Sequence, residues 1–143
     1  MIGTTLGYDG LGSLVLFTVG ERAPDRDEWK TYVEFIKERV AAHGKVRLVV
    51  VAASAAPDAL QRKQLGEAVK PKQLRTAVVS DSIVARGIVT AFRWYGLELD
   101  AFKTSEIDEA YRFVGANGDE IAWLRRTLVN IRAGLSGPRS AAR

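Results

Sequence analysis

The sequence predicts a single α/β domain built on a mixed, mostly parallel sheet of four or five strands. Three observations support this prediction. The chain has 143 residues, which suits one domain. Runs typical of strands alternate with stretches of helical periodicity, as in parallel sheets with helical crossovers. The run Val46–Ala53 is apolar and rich in β-branched residues, as expected of a strand buried on both faces.

The N-terminal segment is expected to form a hairpin followed by a helix. Strands are predicted at residues 4–8 and 13–19, with turn residues Asp9-Gly10 and Gly12 between them. The helix should begin after Asp25, its N-cap, with Glu28 as the capping-box partner, and end at Gly44. Its apolar residues recur at helical spacing and should be buried: Trp29, Tyr32, Val33, Ile36 and Val40.

Predicted strands and helices continue to alternate as far as Gly115. A helix is predicted over Asp58–Val69, with Pro57 in its first turn. The remaining predicted strands are residues 75–79 and 97–102, and the remaining helices are residues 83–95 and a segment from Thr104 or Ser105 to Val114. The third helix carries an apolar stripe at helical spacing: Val84, Ile88, Phe92 and Tyr95.

An additional amphipathic helix is predicted near the C-terminus, within residues 116–135. Its apolar side chains are spaced alternately three and four residues apart and form a seam: Ile121, Leu124, Leu128, Ile131 and Leu135. A helix this short is not stable alone in water. The seam must therefore dock on its own domain or pair with another chain, with a membrane surface as a third alternative. We expect it to contribute to a homodimer, and we expect residues 136–143 to be a disordered tail.

The composition excludes several classes of function. The chain has no cysteine, which excludes disulfides, a thiol nucleophile and cysteine-based metal sites. Its net charge is +4, and most of the excess follows residue 115, which argues against a body that binds nucleic acid, since such a body would need a basic face for the phosphates. No apolar run approaches the ~20 residues that span a bilayer, and the N-terminus has no secretory pattern. We expect a cytoplasmic protein without cofactor or metal.

No strong catalytic signature is present. His43, the only histidine, precedes Gly44 at a predicted helix end, where the helix dipole favours a cation. It has no companion for a triad or a metal site. Asp81 follows a buried strand, where ligands bind in parallel α/β folds, and it could hold a metal or accept a phosphoryl group. Ser80, Asp81 and Ser82 each also offer an N-cap. We favour the interpretation that one of these residues caps the helix. A hydrolase or phosphotransferase that uses Asp81 is the remote alternative.

The loops after two buried strands form the expected contact surface. Carboxyl ends of neighbouring parallel strands lie at one sheet edge, so the segments after Ala53 and Val79 should be adjacent. The alternative is that both are ordinary α/β loops. The expected partner or ligand contacts are Ser54, Asp58, Gln61, Arg62, Ser80, Asp81, Ser82 and Arg86.

The third predicted helix carries a second candidate interface. Arg86 and Arg93 are seven residues apart and share a helix face. Trp94 and Tyr95 follow, and arginine beside aromatic residues suits an interface anchor. The alternative, which we favour, is that Trp94 or Tyr95 packs under the edge strand.

Residues 75–114 contain a series of short motifs: Arg75 to Val79, Asp81-Ser82, Arg86-Gly87, Trp94-Tyr95-Gly96, Ala101-Phe102 and Ser105 to Ala110. In this order they resemble the C-terminal half of SpoIIAA-like proteins, which are STAS-like anti-sigma-factor antagonists. The N-terminal half agrees in the order of its elements only. The resemblance implies a four- or five-stranded mixed sheet with helices mainly on one face, and a non-enzymatic regulatory role through protein–protein interaction. The alternative is a pocket for a small apolar or anionic ligand beside the Ser54 and Ser80 loops.

The sequence departs from the resemblance at the phosphorylation motif. Antagonists of this superfamily are switched by phosphorylation of a serine in an Asp-Ser-Ser-Gly type motif at the start of the second helix. The corresponding segment here, Ser54 to Gln61, lacks that motif, and Ser54 lies too early. The candidates for phosphorylation are Ser54, Ser80 and Ser82, and no dedicated kinase is expected.

Overall fold

Five strands form one sheet in sequential order, with β1 antiparallel to β2 and every other pair parallel. The computed structural model describes residues 1–93 and 97–141. The mixed five-stranded sheet confirms the predicted fold class. The strands are β1 Leu6–Leu11, β2 Leu14–Val19, β3 Val46–Ala52, β4 Leu74–Val79 and β5 Glu98–Phe102.

Helices connect the parallel strands and cover the sheet. Helix α1 joins β2 to β3, α2 joins β3 to β4, and α3 lies between β4 and β5. Short 3-10 turns occur at Pro71–Gln73 and Thr104–Glu106. The helices are α1 Arg26–His43, α2 Ala59–Ala68, α3 Ile83–Arg93, α4 Ile107–Phe113 and α5 Gly118–Ala141. Residues 94–96, where α3 was predicted to end, lie outside the described residues.

The hairpin turns later than predicted. Asp9 and Gly10 pair with Leu16 and Val15 inside the β1–β2 ladder. The turn is made by Gly12 and Ser13, and Gly12 has a φ of 58°, a conformation that glycine adopts without steric strain. The prediction was correct for Gly12 and wrong for Asp9-Gly10, because the pairing of the two strands, rather than the local turn preference, fixes the register.

Helix α1 begins, ends and packs as predicted. The Asp25 carboxylate accepts the backbone N–H groups of Asp27 and Glu28 at 3.0 and 3.1 Å. Gly44 ends the helix with a φ of 78°. The buried side chains of the helix are the five that its periodicity predicts: Trp29, Tyr32, Val33, Ile36 and Val40.

Glu28 does not complete the predicted capping box. Its carboxylate accepts the N–H and hydroxyl groups of Thr4 and Thr5 at 2.6–3.0 Å. The Asp25 N–H donates to Thr5 Oγ1 instead, at 2.9 Å. Burial alone would raise the pKa of Glu28, but the hydrogen bonds from Thr4 and Thr5 outweigh it and lower that pKa to about 2. The carboxylate thus fastens the segment before β1 to the start of α1.

The predictions for α2 and α3 need two corrections. Asp58 is the N-cap of α2, so Pro57 precedes the helix rather than lying in its first turn. Val84 of the predicted stripe is 73% exposed, whereas Val89 is 4% exposed. Among the described side chains, Ala85 and Val89 are the inward positions, so the prediction was wrong for Val84, and Ala85 was missed because it is too small to stand out as a core residue. The side chains of Ile88 and Phe92, and Tyr95 as a whole, lie outside the described residues.

Apolar side chains cover both faces of the sheet. The first face carries Val15, Phe17 and Leu48 and packs against α1, with the rings of Phe17 and Tyr32 stacked at 4.1 Å between centroids. Helices α2 and α3 flank the same face. The second face carries Leu14, Leu16, Val49, Val51, Ala77 and Val79 and packs against α4 and α5. The expectation of helices mainly on one face is thereby refined to three helices against two.

Helix α5 docks on its own sheet. A Cβ on Gly7 of β1 would lie 2.5 Å from Ile131 Cγ2. The glycine therefore allows α5 to lie close to β1. Arg47 of β3 donates two hydrogen bonds to the Glu120 carboxylate at the start of the helix, at 2.6 and 3.0 Å. Ile121 is partly buried against the second-face core, and the other seam residues are buried within it: Leu124, Leu128, Ile131 and Leu135.

The expected role of the seam is corrected by this packing. Of the two alternatives, docking on its own domain is the one observed, because side chains buried in their own core are not available to a second chain. The spacing could not separate the alternatives, since it indicates only that one helix face is buried. A homodimer through another surface stays a prediction. Helix α5 continues to Ala141, past the predicted end at Leu135. The disorder of residues 136–143 stays a prediction.

If α5 packs on its own sheet, substitutions at two adjacent residues of the helix should affect stability very differently. Leu128→Ala should lower the free energy of unfolding by about 2–5 kcal/mol, because Leu128 is 6% exposed in the second-face core. Val129→Ala is the matched control, since Val129 is 66% exposed, and should change that free energy by less than ~0.5 kcal/mol. Urea denaturation followed by circular dichroism measures both. Equal, small effects would contradict the docking.

The contacts of Glu28 predict a pH-dependent stability. Glu28→Gln should lower the free energy of unfolding at neutral pH by about 1–3 kcal/mol, because four donors lose an ionised acceptor. The folded pKa of about 2 lies below the ordinary 4.5, so this stabilisation is complete above about pH 4.5 and is lost as the pH falls through the folded pKa.

The difference between the wild type and Glu28→Gln should therefore shrink as the pH is lowered from about 4.5 towards 2. Urea titrations across that window measure it. Glu34→Gln is the control on the same helix, because the Glu34 side chain is 64% exposed. A difference that does not vary with pH would rule out the ionised carboxylate as its source.

Candidate functional site

The two loops predicted to form a contact surface are adjacent. Strands β3 and β4 are parallel neighbours, so the segments that follow them leave the same edge of the sheet. The Ser80 hydroxyl donates to the Ala53 carbonyl across the two loops at 3.3 Å. This edge holds the carboxyl ends of the parallel strands, where ligands bind in open α/β sheets.

The three serines of these loops differ in accessibility. Ser54 is exposed. Ser80 is fully buried, and its hydroxyl also accepts the Ser82 N–H at 3.1 Å. Ser82 caps α3, since its hydroxyl accepts the Ala85 N–H at 3.3 Å. Ser80 is thus a structural residue that neither a partner nor a kinase reaches in this conformation, whereas Ser54 lies at the surface.

Asp81 ties two loops together. Its exposed carboxylate accepts the Thr104 N–H at 2.9 Å, which links the β4–α3 loop to the turn after β5. The hydrogen bonds from Thr104, with Arg86 and Lys103 nearby, hold the pKa of Asp81 below its ordinary value. The described residues contain no cluster of three acidic or histidine side chains that could hold a metal. This contact supports a structural role for Asp81 more directly than the metal-binding or phosphoryl-transfer alternative.

Gln61 is a buried structural residue rather than a surface contact. Asp58 and Gln61 form a reciprocal capping box at the start of α2. Gln61 is 4% exposed. Its side-chain Nε2 donates to the Pro24 carbonyl at 2.9 Å, and its backbone carbonyl accepts the Trp29 Nε1–H at 3.0 Å. The side chain therefore attaches α2 to the start of α1. A glutamine at a helix N3 position signals the capping box, but the sequence gives no sign of its long-range partners.

The two arginines of the predicted site are both half-buried but differ in their hydrogen bonds. Arg62 donates from Nη1 to the Pro57 carbonyl at 2.7 Å. Arg86 is half-buried, and its Nε is buried without a hydrogen-bond partner among the described residues. The Arg93 side chain, Trp94 and Tyr95 lie outside the described residues, so the interface predicted for them is untested. His43 is exposed in the last turn of α1.

Three large apolar side chains project from the starts of α2 and α3. Leu60 is 59% exposed, Ile83 is 79% exposed and Val84 is 73% exposed. Both helices begin at the carboxyl edge of the sheet, after the neighbouring strands β3 and β4. We call these three residues the apolar edge patch. Sequence analysis missed it because it assigned Val84 to a buried stripe.

A cavity lies between the first face of the sheet and helices α1, α2 and α3. Its volume is about 310 Å³, and it is partly open to solvent. Its charged lining residues are Arg62, Lys70 and Glu98. Among its apolar lining residues are Phe17, Trp29, Leu48, Val50, Val78 and Val89. The sequence does not reveal this cavity, because apolar strand residues follow the same pattern whether they line a cavity or pack in a core.

The cavity weakens the packing of this face. Apolar side chains that border unfilled volume lose the dispersion contacts that a packed core provides. The loss is smaller where the cavity opens to solvent. A bound apolar molecule would recover part of it.

A second cavity, of about 330 Å³, lies at the same edge between the strand ends and α5. Its polar lining residues are Thr18, Glu21, Asp81, Thr104 and Arg132. The Thr18 hydroxyl is buried and makes no hydrogen bond within the part of the chain that the structure describes, which a water molecule could satisfy. Charges of both signs line this cavity, so it does not favour one class of ligand.

A comparison with protein families gives a match that covers more than half of the chain. The family model described as SpoIIAA-like matches residues 19–115. No curated protein matches the chain, and no solved structure matches it. The matched region contains both contact loops and α2 and α3, whereas α5 lies beyond it. Among the described residues, no helix is long and apolar enough to cross a membrane.

Proposed function

Because the chain belongs to the SpoIIAA-like family, we propose that it is a non-enzymatic regulatory module of the anti-sigma-factor-antagonist type, acting by binding a partner protein. The apolar edge patch is the observation that carries this proposal. Leu60, Ile83 and Val84 are all more than half exposed at the starts of the two helices that follow β3 and β4, and large apolar side chains exposed at one edge of a domain are typical of interaction sites.

Polar groups at the same edge complete a surface typical of protein interfaces. Ser54, Asp58 and Asp81 are exposed there, and Arg62 and Arg86 are half-buried. An apolar centre within a polar rim is the usual anatomy of a protein interface. Gln61 and Ser80 support the surface from beneath rather than contacting the partner.

Control by a dedicated kinase is not part of this proposal. The phosphoserine motif implied by the family resemblance is absent from Ser54 to Gln61. Ser54 and Ser82 are the accessible candidates for phosphorylation, and Ser80 is buried. We place the protein in the cytoplasm, and a homodimer would have to use a surface other than the seam of α5.

The cavity on the first face supports a second candidate function, the binding of a small apolar ligand. An apolar volume of about 310 Å³ falls at the lower end of the ~300–1,000 Å³ typical of ligand pockets. Helices α2 and α3 form part of its wall and also carry the apolar edge patch. Both candidate functions therefore depend on the same two helices.

The partner-binding proposal predicts that Ile83→Asp abolishes capture of the partner. An aspartate there would place an unpaired charge at the centre of the interface, which binding would have to desolvate. Affinity-tagged wild type, incubated with an extract of the native cells, should retain a stoichiometric protein that mass spectrometry identifies. Ile83→Asp should retain at least about tenfold less of it, a difference of ~1.4 kcal/mol.

Val129→Asp is the matched control for this experiment. Val129 is 66% exposed but lies on α5, away from the apolar edge patch, so this variant should capture the partner like the wild type. Circular dichroism confirms that both variants are folded. Equal capture by the wild type and Ile83→Asp, or equal losses in the two variants, would count against this surface.

A further inference from the structure

We propose that the cavity on the first face binds a free medium-chain fatty acid, with the hydrocarbon tail inside and the carboxylate at Arg62. This inference rests on the second candidate function, the binding of a small apolar ligand, and names the chemical class of that ligand. It concerns the space enclosed by β3, β4, α2 and α3.

The interior of the cavity suits a hydrocarbon chain. Its walls are formed by Leu48, Val50, Val78 and Val89, with aromatic side chains at the α1 side. The indole Nε1 of Trp29 is already bonded to the Gln61 carbonyl, so it is not available to a ligand. A nucleotide or a sugar would need several polar partners in such a wall, and an aliphatic chain needs none.

The two ends of the cavity differ in charge. Arg62 lies at the end beside the β3–α2 loop, where its guanidinium is held by the Pro57 carbonyl. Lys70 and Glu98 line the opposite end, and the Glu98 carboxylate pairs with Lys45 at 2.7 Å and with Arg75 at 3.5 Å. Lys70 is exposed, so its charge is solvated, whereas Arg62 is half-buried, and among the described residues no acidic side chain lines the cavity beside it. Charge complementarity therefore places the head group at Arg62.

The size of the cavity favours one short chain. A volume of about 310 Å³ is at the small end of ligand pockets, which favours a single aliphatic chain over a two-chain lipid. We therefore commit to a free fatty acid rather than to a membrane lipid. Decanoate is the appropriate probe, and decanol is the neutral molecule of matched chain length.

Isothermal titration calorimetry with the full chain tests the inference. Decanoate, kept below its micelle concentration, should bind the wild type with one site per chain. Arg62→Gln should weaken decanoate binding by about tenfold, as expected for the loss of a charged hydrogen bond, while leaving decanol binding unchanged. Lys63→Gln is the matched control, because the Lys63 side chain is 72% exposed and does not line the cavity.

Two cavity-filling variants locate the binding. Val78→Phe and Ala85→Leu enlarge side chains that line the cavity, and each should abolish binding of both probes. The second variant is included because leucine is a good helix former, so it should fold even if the bulkier substitution in β4 does not. Binding as in the wild type by a folded cavity-filling variant would overturn the assignment to this cavity.

The outcomes separate the ligand class from the underlying function. If decanol and decanoate bind the wild type and Arg62→Gln with the same affinities, the carboxylate assignment is wrong and apolar-ligand binding stands. If neither probe binds the wild type, both the inference and the second candidate function fail. The partner-binding proposal is unaffected by either result, because it depends on Ile83 and its neighbours.

Discussion

The central strands are apolar on both faces, and this constraint determines where each helix lies. Strand β2 is buried at every residue, with Leu14 and Leu16 on the second face and Val15 and Phe17 on the first. Because side chains alternate across a sheet, both faces must be covered by apolar helix surface. Helix α1 supplies aromatic side chains to one face, and α4 and α5 cover the other. The C-terminal helix, although it lies beyond the family match, is therefore part of the core.

The two faces are filled unequally, and the difference bears on function. The second face packs closely at β1, where Gly7 has no room for a side chain beside Ile131, and its own cavity lies at the carboxyl edge of the sheet. The first face leaves a cavity under α2 and α3. Gln61 is the only residue of helix α2 that is fully buried. Its side chain donates to the Pro24 carbonyl, and its backbone carbonyl accepts the Trp29 indole N–H. A ligand in the cavity and a partner at the apolar edge patch would contact the same helices, and any coupling between them would be reciprocal.

Periodic burial could be predicted from the sequence, whereas long-range polar contacts and unfilled space could not. The buried stripe from Trp29 to Val40 was predicted correctly because the helical spacing of its five apolar residues determines which face of the helix is buried. Glu28 was assigned to a local capping box, but its partners Thr4 and Thr5 reach it only through the tertiary fold. The seam of α5 was recognised as buried, yet its spacing contained no information about which surface buries it. The loops after β3 and β4 were correctly expected to be adjacent, because parallel neighbours share an edge. The burial of Ser80 and Gln61 and the cavity depend on side-chain packing in three dimensions.

The central claim is that the second face of the sheet is closely packed under α4 and α5, whereas helix α2 is loosely attached to the first face. Native-state hydrogen exchange, followed by mass spectrometry of peptides, tests this claim most directly. Segments with few buried contacts open with low free energies, and core elements exchange only through global unfolding. Amides of α2 should exchange well before those of β2, β3 and the Glu120–Ile131 portion of α5. Uniform protection, or exchange of α5 ahead of α2, would contradict the account.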